Sequence, residues 1–373
     1  MKILHTLDSS IQNYHGISTY IDELIKSSES RADEVMVFCN TPIYKTNLKP
    51  LPNNAKVKQF KSLKIPGKPK FIISINTGIA KAIEDFNPDL IWIHTIGTIG
   101  TKVANIARGK YNVVYTKHCF DGDLWCLYLN VPKPFQWIFH AFANRFERRI
   151  AAACSFIVYH IHDIKKVEHK AYFNKFLSFN PPLQNRFFEN RTEKQLNPMK
   201  LSFGFCGRCE LDKGIEDTYI GLQLFKEKHP EIDITFYLIG DGPVAQTLPS
   251  KYDCITTIVT GFIGNVIPIL DKLDGFILSS KHETISLSSL EAYARGIPVF
   301  SLPIGYLNEL GDLENFYLFE DNEKLVSQLE QVFLIEKKSR TIPDQSILNK
   351  VIISYPELLR EVTEKIKEFP INK

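Results

Sequence analysis

The sequence predicts an α/β protein built from two Rossmann-like domains, each a parallel sheet covered by helices. Short β-branched runs alternate with longer segments of helical periodicity. The apolar runs lack the strict alternation of apolar and polar residues that a strand with one solvent-exposed face shows. This indicates strands buried on both faces. The series of alternating strands and helices starts at residue 2 and starts again at residue 201. A length of 373 residues, at roughly 150 residues per domain, also favours two domains.

The first series predicts a domain over residues 1–185. Its strands are expected at 2–7, 35–39, 90–95, 113–116 and 155–160, and its helices at 17–30, 74–86, 98–108 and 133–152. The segment that follows, residues 179–198, is rich in Pro, Asn and charge, which is typical of a linker.

The second series predicts a domain over residues 199–354. Its strands are expected at 201–207, 234–240, 254–259, 275–278 and 298–301, and its helices at 214–229, from about 286, and at 321–337. A final helical pattern at 355–369 follows a series that is already complete. We expect a cleft between the domains, with the ligand near the carboxyl ends of the strands.

Composition and charge narrow the class of protein. No apolar run reaches the ~20 residues of a spanning helix, and the apolar start is too short for a signal peptide. The seven cysteines show no disulfide framework. These features predict a cytoplasmic protein. Residues 1–195 hold 27 Lys and Arg against 16 Asp and Glu, whereas residues 196–373 hold 18 against 26. The basic half can attract a phosphorylated or membrane-surface partner.

Two clusters supply most of the first half's positive charge, and they leave two interpretations open. One is a mobile solvated loop together with a helix that packs its aromatic residues inward. The other is a surface that rests on an anionic membrane and receives a lipid-linked or otherwise phosphorylated acceptor. Nucleic acid is not expected, because no recognition module accompanies the charge. The clusters are Lys56, Lys58, Lys61, Lys64, Lys68 and Lys70, and Arg145, Arg148 and Arg149 beside Trp137, Phe139 and Phe142.

The segment 281–301, KHETISLSSLEAYARGIPVFS, carries the strongest pattern. It follows a strand and opens a Ser-rich helical turn at 285–289, where backbone N–H groups and the helix dipole can hold a phosphate. Glu291 lies eight residues after Glu283, about 12 Å away if all of them are helical. That separation is too large for two carboxylates that act together on a single bond. It suits two carboxylates that bind different parts of an elongated ligand. Taken alone, the two acids also fit a dipole-compensating residue and a solvated helix face.

Two further segments follow strands of the second domain. FCGRCELDKG (205–214) places Arg208 and Lys213 in the loop after the first strand. Two cations there can neutralise a leaving nucleoside diphosphate without a metal, although exposed loop cations are an equal alternative. YLIGDGP (237–243) ends a strand in a Gly-rich turn, which turn chemistry alone would also explain.

These segments together resemble the group 1 (family 4) retaining glycosyltransferases of the GT-B fold. GRCELDKG resembles the family's Gly-Arg…Lys-Gly element, LIGDGP its Gly-Asp-Gly-Pro turn, and Glu283 to Glu291 its E-x7-E motif. GISTYIDEL (16–24) resembles the glycine loop and its helix, with His15 in place of one glycine, and VVYTKHCF (113–120) the strand that ends in a His. Thr284 stands where the family commonly has Gly, and the helix 355–369 resembles the one that packs back on the first domain.

The resemblance implies a role for each matching residue. Arg208 and Lys213 bind the donor diphosphate, Glu283 the donor sugar and Glu291 the nucleotide ribose, while His118 lies beside the sugar. The remaining donor contacts are expected at Gly16, Gly207, Gly240, Ser286 and Leu287. The implied enzyme moves a hexose from a nucleotide-diphosphate sugar to the hydroxyl of a glycan, lipid-linked or protein acceptor. The synthesis of bacterial surface polysaccharide or glycoconjugates is the expected setting. It needs no cofactor and no metal.

Several other patterns in the sequence are compatible with different functions. Cys206-x2-Cys209, the pair Asp121 and Asp123, and the pair His160 and His162 each have a spacing that metal ligands can use, but none has a full ligand set. A dinucleotide oxidoreductase is disfavoured because no GxGxxG fingerprint is present. A non-catalytic GT-B accessory subunit and a nucleotide-sugar epimerase of the same architecture stay open as alternative functions.

Overall fold

The computed structural model describes all residues except 14, 43–47, 66–67, 76, 119–121, 123–124, 127–128, 163–169, 282 and 370–373. For residues 64–65, 68–73, 170–171 and 173 it describes the backbone alone. The chain forms two compact units, one of Met1–Phe179 with Ser354–Lys373 and the other of Asn180–Ile353. Asp121 and Asp123 lie outside the described residues. No helix in the described part of the chain is both long and apolar enough to cross a bilayer.

The first unit is a parallel sheet with helices between its strands. Its strands, in chain order, are β1 (Lys2–Thr6), β2 (Glu34–Asn40), β3 (Lys56–Phe60), β4 (Ser62–Ile65), β5 (Lys68–Ser74), β6 (Leu90–Ile93), β7 (Asn112–Thr116), β8 (Phe156–Tyr159) and β9 (Phe176–Ser178). The helices between them are Gly16–Glu29, Ile79–Phe86, Thr98–Ala107 and Gln136–Ala153.

Seven described strands of this unit pair in the order β3-β2-β1-β6-β7-β8-β9, while β4 and β5 form a separate antiparallel pair. Every described pair of the larger sheet is parallel. The apolar residues of β6 and β7 are fully buried, as strands covered on both faces require. Because the strands are parallel, the residues that follow β1, β6 and β7 share one edge of the sheet.

The basic segment 56–74 differs from the predicted loop and helix. It forms β3, β4 and β5, and the helix expected from residue 74 begins only at Ile79. Lys56 and Lys58 lie on β3, the edge strand beside β2. Lysines on an edge strand oppose pairing with the edge of a second sheet, which is a physical reason for charge at this position. Because the strand is so charged, the pattern of apolar runs did not predict it.

The expectation that the helix Gln136–Ala153 packs its aromatic residues inward is also wrong for two of the three. Trp137 is 69% exposed and Phe142 is 54% exposed, whereas Phe139 is partly buried. The buried side of the helix is formed by small and aliphatic residues, among them Ala143 and Ile150. Trp137 and Phe142 therefore lie on the solvent side of the helix, with the arginines.

The helix Tyr355–Lys365 belongs to the first unit, as expected for the final helix. The ring of Tyr355 packs edge-on against Tyr20, with 5.5 Å between ring centroids. Arg31 Nη1 donates to Thr363 Oγ1 at 2.9 Å. Both contacts join the last helix to the helix Gly16–Glu29 and the turn that follows it.

The second unit is another parallel α/β sheet. Its strands are β10 (Pro182–Leu183), β11 (Lys200–Cys206), β12 (Asp233–Ile239), β13 (Thr256–Gly261), β14 (Gly275–Leu278), β15 (Val299–Ser301) and β16 (Phe316–Leu318). The short strand β17 (Ile353–Ser354) has one residue in each unit. Its helices are Ile215–Lys228, Pro243–Lys251, Ile267–Leu270, Leu287–Ala294, Asn322–Leu329 and Gln345–Val351, and the helix expected at 321–337 continues as a π-helical turn over Glu330–Ile335. Six described strands pair in the order β13-β12-β11-β14-β15-β16.

The segment predicted to be a linker, 179–198, is instead held against the second unit. The buried guanidinium of Arg295 donates to the carbonyl oxygens of Glu189 and Asn190 at 2.9 and 3.1 Å and forms two bonds with Asp271. The backbone polar groups of a segment low in apolar residues thus find partners in buried arginine side chains, which local composition does not reveal.

Candidate functional site

Three loops of the second unit meet at the carboxyl ends of β11, β12 and β14. Gly214, at φ +60°, follows the β11 loop, and a Cβ there would overlap the carbonyl oxygen of Ser279, just after β14. A Cβ on Gly240, after β12, would overlap the carbonyl oxygen of Gly207. Glycine at these positions lets the three backbones approach closely, which leaves their polar groups at one sheet edge.

The two predicted loop cations lie on this edge, and each has a carboxylate partner. Arg208 Nη1 is 2.9 Å from Glu210 Oε1, and the Arg208 side chain is 39% exposed. Lys213 Nζ is 2.7 Å from Glu283 Oε1. Asp212, which is nearly buried, lies 4.0 Å from both cations. The structure therefore brings together Arg208, Lys213 and Glu283, which the sequence places in two separate segments.

The helix after Glu283 begins at Leu287, two residues later than the predicted turn. Ser286 is its N-cap, in an extended conformation, and its Oγ accepts from the backbone N–H of Ser289. The Ser286 hydroxyl also contacts the other serines of this turn, with its Oγ 3.3 Å from Ser288 Oγ and 3.0 Å from Ser289 Oγ. The first N–H groups of this helix and its positive dipole end lie just after Glu283 in the chain.

Glu291 lies within the same helix and is partly buried. Burial raises the pKa of its carboxyl to about 7, and the charge of Arg186 opposes the shift. The Cys206 thiol lies near enough for the Glu291 charge to add to the effect of burial, and both raise the pKa of that thiol. Glu291 is thus a carboxyl without full solvation near the end of β11, and a polar ligand can replace the missing solvent.

The Cys206-x2-Cys209 spacing does not form a thiolate pair in this structure. Burial raises the pKa of both thiols, that of Cys209 to about 12, and Cys209 Sγ lies 3.7 Å from the carbonyl oxygen of Gly207. Among the described residues, no group of three or more His, Cys, Asp or Glu is arranged to hold a metal ion. Cys206 instead ends β11, and Cys209 is a buried residue of the loop that carries Arg208.

The predicted residues of the first unit lie at the carboxyl ends of β1 and β7. His15 is the N-cap of the helix Gly16–Glu29, and its Nδ1 accepts from Ser18 N at 3.1 Å. A Cβ on Gly16 would meet nothing within 4 Å, so the space beside this helix start is open. His118 follows β7 and is partly buried, and burial, with the charges of His160 and His15, lowers its pKa to about 3.

The structure shows that His118 is one of three histidines in a row, and the sequence analysis missed the other two. His94 Nδ1 lies 3.1 Å from His118 Nε2, and His5 Nδ1 lies 3.0 Å from His94 Nε2. A signal was available in the sequence, because each histidine lies at or just past the carboxyl end of β1, β6 or β7, three neighbouring parallel strands.

Two family models match this chain. The one described as glycosyl transferases group 1 matches residues 200–334, and the one described as glycosyltransferase family 4 matches residues 14–172. Together they cover most of both units. The chain belongs to the group 1 glycosyltransferases.

Solved structures support the same fold at low sequence identity. Sucrose-phosphate synthase from Thermosynechococcus elongatus has a TM-score of 0.73 and 13% identity, over 98% of each chain. Anabaena HepE, solved in complex with UDP and glucose, has a TM-score of 0.68 and 16% identity, over 98% of this chain and 99% of that one. The two units therefore form the GT-B fold.

A curated relative covers a shorter stretch. Glycogen synthase from Mycobacterium tuberculosis is 29% identical over 113 residues, which is 28% of this chain and 26% of the relative. The alignment thus spans about a quarter of the curated relatives that the chain matches.

Proposed function

We propose that this glycosyltransferase moves a hexose from a nucleotide-diphosphate sugar to an acceptor hydroxyl, retains the anomeric configuration and uses no metal. The observation that carries the proposal is the contact between Lys213 and Glu283, with Arg208 on the same loop and the helix start at Leu287 after Glu283. Cations, a carboxylate and free backbone N–H groups are the groups that a sugar diphosphate needs.

Each part of the donor has a matching group in the second unit. Glu291 accepts hydrogen bonds from the ribose hydroxyls, which replace the solvent that its carboxyl lacks. The diphosphate lies against the N–H groups at Ser286 and Leu287 and against the backbone at Gly207 and Gly240, where no side chain intervenes. That Anabaena HepE was solved with UDP and glucose supports a donor of this chemical class.

The cations act on charge that grows as the donor breaks. The bond between the anomeric carbon and the diphosphate oxygen breaks, and its electron pair stays on that oxygen. Arg208 and Lys213 stabilise the new charge, and the loss of one such group typically lowers the rate by ~10²–10³. The acceptor oxygen bonds to the anomeric carbon on the face that the diphosphate leaves, and its proton passes to the departing phosphate. This sequence conserves the configuration.

Glu283 and His118 orient the sugar in this proposal. Glu283 accepts hydrogen bonds from sugar hydroxyls, and Lys213 turns from Glu283 toward the diphosphate when the donor binds. His118 forms a hydrogen bond to the sugar as a neutral ring, because its pKa of about 3 keeps it unprotonated at neutral pH.

The test is turnover of nucleotide sugars by the purified protein, followed by ¹H NMR. We expect release of a nucleoside diphosphate, and the first anomer of the transferred or hydrolysed sugar should match that of the donor. An inverted first anomer contradicts the retaining mechanism. A nucleotide recovered still joined to an altered sugar identifies an epimerase, and the absence of any turnover together with donor binding favours an accessory subunit.

We also propose that the first unit takes its acceptor at an anionic membrane surface, as an enzyme of surface polysaccharide or glycoconjugate synthesis would. The solvent side of the helix Gln136–Ala153 borders a groove of about 770 Å³, with the exposed rings of Trp137 and Phe142 toward the helix start. Arg145, Arg148 and Arg149 follow on the same side, and Arg108, at the end of the helix Thr98–Ala107, lines the same groove.

This side of the helix suits an interface between lipid headgroups and acyl chains. Aromatic rings can enter the acyl boundary while the arginines contact anionic headgroups. The acid nearest in sequence, Glu147, is buried and is paired with Lys117 at 2.5 Å, so it does not neutralise the arginines. A helix with this distribution lies in the plane of the interface and does not span the bilayer.

Flotation with lipid vesicles tests the membrane proposal. We expect binding to vesicles that contain phosphatidylglycerol, weak binding to neutral vesicles, and loss of binding as salt rises. Changing Arg145, Arg148 and Arg149 to Gln should abolish binding, whereas the same change at Lys200, Lys228 and Lys281 of the second unit should not. Equal binding to neutral and anionic vesicles, or none to either, contradicts the proposal and favours an acceptor that is free in solution.

A further inference from the structure

The three histidines at the ends of β1, β6 and β7 form a continuous hydrogen-bonded row. The rings of His94 and His118 stack with centroids 5.4 Å apart, and those of His5 and His94 are 5.3 Å apart. Trp92 stacks against His94 at 5.7 Å. His5 and His94 are at most 1% exposed, whereas His118 is partly exposed. The row therefore runs from the interior of the first unit to its surface.

The surroundings of the row favour neutral rings. Tyr20 lies edge-on to His94 and His118 and shares a hydrogen bond at 3.2 Å with His160. Burial lowers the pKa of His5 to about 3 and also lowers that of His94, while nearby histidines add to the effect on His94 and His118. None of the causes of these shifts is a carboxylate.

Three neutral rings in such a row must all carry their proton on the same nitrogen. Each hydrogen bond needs one N–H and one bare nitrogen, and each neutral ring has one of each. If His94 donates through Nδ1 to His118, its Nε2 is bare and accepts from Nδ1 of His5. If His94 donates through Nε2 to His5, its Nδ1 accepts from Nε2 of His118. The row is thus all Nδ1–H or all Nε2–H.

The buried end of the row distinguishes the two arrangements. His5 Nε2 is buried and has no hydrogen-bond partner among the described residues. In the all-Nε2–H arrangement an N–H would be buried there without an acceptor. Buried backbone N–H groups without a partner are rarer in folded proteins than under-satisfied carbonyl groups, and we expect the same order for ring nitrogens. The all-Nδ1–H arrangement leaves a bare nitrogen at this position.

We propose that His5 and His94 are positioning residues that hold His118 in the Nδ1–H form, so that His118 presents a fixed hydrogen-bond donor to an oxygen of the donor sugar. This inference rests on the proposed function for the identity of the sugar, and on the row alone for the tautomer. A neutral Nδ1–H donates and cannot accept a proton, so His118 orients the sugar and does not act as a general base.

The tautomer can be measured without any substrate. ¹⁵N-labelled protein gives distinct ring nitrogen shifts for a protonated and a bare nitrogen in long-range ¹H–¹⁵N spectra. We expect protonated Nδ1 and bare Nε2 for His5, His94 and His118 at pH 7. Protonated Nε2 on these rings, or a mixture of tautomers at His118, overturns the proposal whether or not the enzyme is a sugar transferase.

Variants test the positioning role. His94→Phe should free the His118 tautomer and lower kcat by about tenfold, the effect of one hydrogen bond, with little change in KM. His94→Asn retains an amide N–H near the position of Nδ1 and should restore both the His118 shifts and most of kcat. His229→Gln, in the second unit, controls for loss of a histidine elsewhere.

Protein stability is measured alongside, because His94 is buried. If His94→Phe unfolds the protein, His5→Phe provides the second test, because it removes the far end of the row and should also release the His118 tautomer. His118 shifts that are unchanged in a folded variant, or equal kcat in the Phe and Asn variants of His94, contradict the proposal.

Discussion

Lys213 Nζ lies 2.7 Å from Glu283 Oε1, although 70 residues separate the two in the chain. Both side chains are mostly buried, at 14% and 17% exposure, so the pair is desolvated more than a surface ion pair. The contact joins the loop after β11 to the segment after β14. A ligand that carries both an anionic and a hydroxyl-rich part can separate the pair and satisfy each partner.

Lys213→Ala should lower kcat more than it weakens donor binding, because the charge that Lys213 meets grows as the donor breaks. The expected loss is ~10²–10³ in kcat. Lys281→Gln is the matched control, since Lys281 is a cation of the same unit that pairs with Asp217 at 3.0 Å. Steady-state kinetics measure both variants. A Lys213→Ala variant with raised KM and unchanged kcat would show that the lysine binds the ground state and the transition state equally, which would contradict its role in stabilising the leaving diphosphate.

Glu291 should make nucleotide binding depend on pH. Its pKa of about 7 leaves the carboxyl mostly protonated at pH 6 and mostly ionised at pH 8. An ionised carboxylate accepts hydrogen bonds from ribose hydroxyls better than a protonated carboxyl does. The affinity for a nucleoside diphosphate should therefore rise about tenfold from pH 6 to pH 8. Glu291→Gln should bind more weakly and lose this dependence on pH. Calorimetric titrations at each pH make the measurement, and identical pH profiles for the two proteins would contradict the assignment.

The same raised pKa predicts an effect on stability. The free carboxyl of an unfolded chain ionises at lower pH than Glu291 does in the folded protein, so the folded state binds more protons between the two pKa values. Glu291 therefore supports folding fully at acidic pH and loses that contribution as pH rises through about 7. Relative to the wild type, Glu291→Gln should gain thermal stability as pH rises from 5 to 8. A constant difference in Tm over this range would count against the raised pKa.

Substitution of two glycines by alanine distinguishes the cost of backbone strain from the cost of steric overlap. Gly214 and Gly261 both have positive φ, at +60° and +65°, but only Gly214 has a carbonyl oxygen where a Cβ would lie. Gly261→Ala should cost roughly 1–2 kcal/mol of stability, the left-handed penalty. Gly214→Ala should cost clearly more, because the Ser279 backbone must also move. Thermal unfolding compares the two, and equal losses would show that the loops do not approach as closely as described.

Much of the fold followed from simple patterns in the sequence. The strands of both sheets are apolar runs between helical segments, and covered parallel strands have this pattern. Residues at the ends of neighbouring parallel strands meet, which is why Arg208, Lys213 and Glu283 could be predicted as one group. The edge strand β3 was not predicted, because its lysines interrupt the pattern of apolar residues by which strands are recognised.

Contacts that depend on tertiary packing were not predictable. The linker-like segment is held by Arg295, whose side chain gave no local sign of burial, and the exposure of Trp137 depends on which side of its helix meets the sheet. The histidine row needed the order of β1, β6 and β7 in the sheet, because His5 and His94 are 89 residues apart. Pattern and spacing thus identify elements and their ends, whereas side-chain partners require the fold.

Addition of EDTA tests the metal-free mechanism. If Arg208 and Lys213 neutralise the leaving diphosphate, activity should survive exhaustive chelation and should not increase with Mn²⁺ or Mg²⁺. Loss of activity with EDTA and its recovery with Mn²⁺ would contradict this. That result would direct attention to Asp121 and Asp123.

The central claim is that the edge formed by the loops after β11, β12 and β14 binds a nucleoside diphosphate. The most direct measurement is calorimetric titration of the protein with UDP, GDP and ADP, repeated with Glu291→Gln and with Lys281→Gln. We predict that at least one nucleotide binds the wild type and Lys281→Gln equally and binds Glu291→Gln at least tenfold more weakly. No binding of any of the three nucleotides, or equal binding to all three proteins, would contradict the claim.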